Sequence, residues 1–93
     1  MTPTLARPHC EADAAEPRRV RLGGDWTLSS ALEVAEQLRT LPDAVDQLDA
    51  TGIDRIDSAG VLQLMRFAKR RGMELSDIAF RTDHQALVST IED

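Results

Sequence analysis

With 93 residues the chain has room for one small domain, which buries only about 60–65% of the surface its unfolded chain exposes, so docking to a partner or a second copy would stabilise it. A formal net charge of −5 and a pI near 4.9 argue against generic binding to nucleic acid or an anionic membrane surface, although Lys69, Arg70 and Arg71 form a short basic patch. The single cysteine, Cys10, excludes an internal disulfide and suits a reducing, intracellular compartment; no apolar run approaches the roughly 18 residues of a membrane span and no signal region opens the chain, so it reads as soluble and cytoplasmic.

Residues 1–17 carry Pro3, Pro8 and Pro17 and read either as an N-terminal arm or as a short edge strand near Leu5 to Asp13, since proline is tolerated at a sheet edge. The domain proper is expected over 18–93. From Arg18 the pattern alternates, with Val20 and Leu22 on one side and Arg19 and Arg21 on the other, as in a half-buried strand. Gly23-Gly24-Asp25 then predicts a turn.

Ser30 and Glu33 have capping-box spacing and open a first helix, whose stripe is Ala31, Val34, Ala35, Leu38 and Leu41; Pro42 stops it. Val45 to Ala50 predicts a short central strand with Leu48 and Ala50 inward. Gly52 predicts the turn that follows, with Ile53 and Ile56 pinning a loop to the core. Ser58 then reads as the N-cap of a second helix, with Val61, Leu62, Leu64, Met65, Phe67 and Ala68 as a broad apolar face. Lys69 to Arg71 suit its C-terminal dipole and Gly72 its end. Leu75 to Arg81 predicts another strand, with Ile78 and Phe80 on one face. Thr82 and Gln85 predict a capping box for a third helix carrying Leu87, Val88 and Ile91. The order is (β)-β-α-β-α-β-α, which makes the fold class α/β with a small, mostly parallel sheet covered by helices.

Little in the chain supplies catalysis. Ser58 does not sit in G-x-S-x-G, His84 reads as a residue at a helix start and His9 lies in the arm, so no hydrolase triad is indicated. Asp49, Asp54 and Asp57 would need to face inward together to hold a divalent cation. Asp57 is better read as complementing a helix N-terminus and Asp54 as a turn residue. A phosphate-accepting receiver domain would need further acidic residues early and a late strand lysine, both missing. No Gly-rich phosphate loop occurs. No enzyme, metal or cofactor is expected. What remains is one hydroxyl, Ser58, among carboxylates and beside the small residues Ala59 and Gly60, which would let a partner come close.

The stretch D-A-T-G-I-D-R-I-D-S-A-G-V-L-Q-L-M, residues 49–65, resembles the signature of STAS domains, named for sulfate transporters and anti-sigma factor antagonists. Asp49, Gly52, Ile56, Asp57, Ser58 and Gly60 fall on that signature, Thr51 stands where the family often has Ser, and the resemblance covers about residues 18–92. It implies a small mixed sheet backed by helices. It also implies a partner-docking corner of Asp49, Asp54, Asp57, Ala59 and Gly60 around Ser58. In the anti-sigma antagonist branch, the residue matching Ser58 is phosphorylated by a partner kinase and binding is broken; two added negative charges beside Asp57 and Asp54 would do this.

Gly24-Asp25-Trp26-Thr27-Leu28 and Asp83-His84-Gln85-Ala86-Leu87-Val88 look like the STAS segment at the N-terminus of Mla-type permeases, found in phospholipid or organic-solvent-resistance ABC transporters of Gram-negative bacteria. That branch implies a domain at the cytosolic face of the inner membrane. Its partners would be the transporter's ATPase subunit and the membrane permease. Trp26 itself reads as ordinary packing at the first helix. Family members usually run on past the third helix, so the resemblance also implies a domain truncated at Asp93, whose cut surface would favour a homodimer.

Overall fold

The computed structural model describes residues 7–92, and for Glu92 the backbone alone. Four strands, β1 (His9–Ala12), β2 (Arg19–Trp26), β3 (Gln47–Ile56) and β4 (Ile78–Phe80), form one sheet in sequential order. Three α-helices, α1 (Ala31–Arg39), α2 (Ser58–Arg71) and α3 (Thr82–Glu92), connect or follow them. The pair β1–β2 is antiparallel, and β2–β3 and β3–β4 are parallel. The fold is the expected small α/β sheet with helical cover.

Sequential order decides where the helices go. Parallel strands need crossover connections, and these are right-handed almost without exception. Two crossovers stepping in one direction along the sheet put α1 and α2 on one face. Ala12, Val20, Leu48 and Ile78 are register partners on that covered face. The last three are buried and join Leu22, Trp26, Ile53, Leu64 and Phe67 in the core. The row beside it, Glu11, Arg21, Asp49 and Ala79, faces away from the helices. The alternation expected at Arg19 to Leu22, and the inward Leu48 and Ala50, are therefore observed.

Two expected turns are strand instead. Gly23-Gly24-Asp25 continues β2 to Trp26, and Gly52 lies inside a ten-residue β3. Gly24 adopts φ 86°, a left-handed value that glycine reaches at no steric cost, and the register shifts between Gly24 and Asp25. The glycine thus marks a bulge rather than a turn. Ile53 and Ile56, expected in a loop, belong to the same strand.

Smaller differences follow from side-chain competition. A 3-10 turn, Leu28–Ser30, precedes α1. Ser30 occupies the N-cap position without capping, because its hydroxyl donates to Asp25 Oδ2 (2.7 Å). Ala35, expected on the apolar stripe, is exposed, while Val34 and Leu38 are buried. The strand expected over Leu75 to Arg81 is shortened to Ile78–Phe80 by a 3-10 turn at Leu75–Asp77. Gln85 reaches back to the Phe80 carbonyl (3.5 Å) instead of completing a box with Thr82. The helix end at Gly72 is as expected, with φ 69°. At the other end of the chain, β1 is the sheet's edge strand; Leu5 and Ala6, also read as strand, lie outside the described residues.

Candidate functional site

The carboxyl ends of β2 and β3 meet at a corner formed by Trp26, the 3-10 turn at Leu28–Ser30, and the first turn of α2. Asp57 is its tie. One carboxylate oxygen accepts from Gly60 N (3.1 Å), and the other accepts from Leu28 N (2.9 Å). A single side chain thus caps α2 and holds the turn after β2. Serine, with one hydroxyl oxygen, would reach one such donor. This is why the N-cap is Asp57 and not Ser58 as the spacing predicts.

Ser58 becomes the first residue of α2. It is exposed, and among the described residues its hydroxyl has no hydrogen-bond partner. The α2 dipole places partial positive charge at this end. The capping correction therefore frees Ser58 for an intermolecular contact.

Gly60 changes role in the opposite direction. It was expected to let a partner approach, but it is buried, and a Cβ there would run into the Trp26 carbonyl oxygen and touch Ile56 Cγ1 at 3.0 Å. Its smallness is used by the chain's own β2, not left open for a visitor. Ala59 is half-buried beside it.

The remaining carboxylates separate. Asp54 is exposed near the end of β3. Asp49 lies near the start of the same strand, about 25 Å from Asp57 at a rise of about 3.3 Å per residue, and is not part of the corner. Its side chain accepts from Thr51 N (3.0 Å), Thr51 Oγ1 (2.5 Å) and Arg19 (3.3 Å) on the helix-free face. The Thr51 hydroxyl bond, with help from Arg19, holds its carboxyl below the usual carboxylate range. Among the described residues no three metal-ligating side chains converge. His84 Nδ1 is buried without a partner and His9 bonds the Arg7 carbonyl, so neither forms a relay with Ser58.

One residue of the corner was missed in the sequence. Asp25, read as a turn residue, is 4% exposed. Its Oδ2 accepts from Thr27 Oγ1 (2.8 Å) and Ser30 Oγ (2.7 Å), while Oδ1 has no hydrogen-bond partner and lies 3.9 Å from Arg55 Nε. The signal was the three hydroxyl residues Thr27, Ser29 and Ser30 just downstream, which are natural donors to a carboxylate. Asp25 thereby folds the 3-10 turn so that Leu28 points outward.

Three large apolar side chains stand out as exposed among the described residues: Leu28 (70%), Leu32 (89%) and Leu62 (41%). Leu28 and Leu62 lie on the elements that form this corner, and Leu32 follows on α1. Leu28 is tied to Asp57, Leu62 lies one helical turn from Ser58 on the same side of α2, and Gln63 Nε2 donates to Ala31 O (2.9 Å), bringing the Leu32 and Leu62 segments together. Single exposed leucines need no explanation, but a cluster marks an interaction surface.

The family model described as "Mlab, STAS domain" matches residues 10–92. A search of curated proteins finds no match. No helix among the described residues is long and apolar enough to cross a membrane.

Proposed function

The chain belongs to the STAS domain family, and on that premise we propose that it is a non-enzymatic regulatory module of a lipid ABC transporter, linked to the permease, that docks the transporter's ATPase subunit through the Ser58 corner. The observation that carries the reading is the exposed Ser58 hydroxyl at a corner whose adjoining elements expose Leu28, Leu32 and Leu62. Such a surface suits an interface with an apolar centre and one polar contact. The DWTL and IDSAG segments, and the Mlab name carried by the matching family, favour the transporter branch.

The test is co-purification of the domain with a transporter ATPase subunit from the same organism, using wild type and Leu62→Asp. Capture by wild type and loss of about tenfold or more in affinity for the variant is the expected result. Failure of wild type to bind sinks the reading. Self-association through the same leucines is the rival use of the surface, and sedimentation of the isolated domain as a monomer removes it.

A second reading has its own support in the exposure of Ser58. A free-standing anti-sigma factor antagonist would be switched by a kinase at this hydroxyl, since phosphate adds about two negative charges beside Asp57. Incubation with a cognate kinase and ATP, read by intact mass, decides it. A mass gain abolished by Ser58→Ala supports this branch, and no gain counts against it.

A further inference from the structure

The outward side of α2 does not end at Leu62. Ser58, Leu62, Arg66 and Arg70 recur at four-residue spacing, and Lys69 lies beside them, all exposed. The chain has 11 Lys and Arg residues. Seven stand within 4.0 Å of a carboxylate. Arg71 turns inward, donating to the carbonyls of Pro42 (2.7 Å) and Leu41 (2.8 Å) and stacking on Phe67. The three left, among the described residues, are Arg66, Lys69 and Arg70, side by side on one helix of a chain with net charge −5. Attraction to the helix C-terminus accounts for Lys69 and Arg70 but not for Arg66, which precedes the last turn.

The chain has 16 Asp and Glu residues, yet among the described residues none stands within 4.0 Å of these three cations. We propose that Arg66, Lys69 and Arg70, continuing from Leu62, receive an acidic segment of the partner protein, with apolar side chains against Leu62 and carboxylates against the cations. The inference rests on the docking role of the Ser58 corner and adds the chemistry of the docked surface. A protein segment fits better than an anionic membrane, because a chain of net charge −5 is repelled as a whole by an extended anionic surface. Cations at the edge of such an interface steer encounter and select the partner.

Two arms test this. In the first, the isotopically labelled domain is titrated with a helical peptide carrying leucines at i and i+4 flanked by glutamates, with its lysine-for-glutamate counterpart, and with phosphatidylglycerol vesicles. Amide shifts at Leu62, Arg66, Lys69 and Arg70 with the acidic peptide alone are expected. Shifts with both peptides, with neither, or with the vesicles overturn the proposal. In the second arm, affinity for the ATPase subunit is measured between about 0.1 M and about 1 M salt, where the screening length falls from about 10 Å to about 3 Å. Wild type should weaken about tenfold, and the combined variant Arg66→Gln, Lys69→Gln, Arg70→Gln should lose affinity at low salt and respond little to salt. Equal, salt-independent binding by both overturns the acidic-segment proposal and leaves the corner reading intact. No binding by wild type removes the corner reading, while the peptide arm still decides the chemistry of the face.

Discussion

The helix-free face of the sheet and the corner at the start of α2 are both rich in charge, and they use it differently. On the sheet face, Arg21 pairs with Glu11 and Arg19 with Asp49, and Thr51 completes the ring around Asp49. That surface satisfies itself and, among the described residues, exposes no large apolar side chain. At the corner, the carboxylates turn inward: Asp57 and Asp25 hold backbone and hydroxyl donors of their own chain. What they leave outside is a free hydroxyl and three leucines. A surface that is charged but paired needs no partner, whereas one that is apolar and unpaired invites one.

The sharpest way to break this contrast is at Gly60, where α2 meets β2. Gly60→Ala forces a methyl group into the Trp26 carbonyl, and is expected to lower stability by about 3 kcal/mol or more in urea unfolding. Retention of wild-type stability would mean that the helix stands further from the strand. Next comes Asp57→Ala, which removes a cap and a tie to Leu28 together. Loss of about 1–2 kcal/mol is expected, with faster amide exchange at both Leu28 and Gly60. Exchange changing at Gly60 alone would show that the tie is dispensable.

Cys10 and Glu11 are neighbours on opposite sides of β1, which sharpens the comparison by pH. Burial pushes the Cys10 thiol up to about 12. An ionisable group whose folded pKa lies above its unfolded value contributes stability that is complete below the unfolded pKa, about 8.5 for a thiol, and lost as pH rises toward the folded one. Alkaline destabilisation beginning near pH 8.5 and absent in Cys10→Ala is expected, as is slow alkylation of the native thiol at neutral pH.

The smallest effect belongs to the self-paired face. The folded carboxyl of Asp49 is held low, chiefly by Thr51, so its contribution is present above the ordinary carboxylate value of about 3.9 and lost as pH falls through the folded one. The stability gap between wild type and Asp49→Asn should therefore narrow as the solution is acidified below about pH 4. A gap independent of pH would assign the effect to packing rather than charge.

Much of the architecture could be read from alternation and spacing. Val20 and Leu22 against Arg19 and Arg21 is a period that only a half-buried strand satisfies, and Leu64, Phe67 and Ala68 recur as a helix face must. The failures share a cause. Gly24 and Gly52 are turn residues by local preference, but both serve a long strand pair whose bulge and close approach are tertiary facts. Ser58 is a good cap in isolation, and it loses that place because Asp57 satisfies donors from two elements that are 29 positions apart in sequence at their Leu28 contact. Gly60 shows the same limit: its small size was legible, but the element filling its space was not. Asp25 was hidden because burial of a carboxylate depends on hydroxyls folded around it. The exposed leucines could not be found by periodicity, since Leu62 reads as part of a core face and Leu32 sits on a helix whose stripe is narrower than expected.

The central claim is that the Ser58 corner is where the partner docks. Calorimetric titration of the ATPase subunit with wild type and Ser58→Glu tests it most directly, with matched thermal unfolding as the check that both are folded. The prediction is that wild type binds and that the added carboxylate, placed beside Asp57, weakens binding by about tenfold or more without loss of stability. Equal affinity for the two would contradict it and move the interface away from the corner.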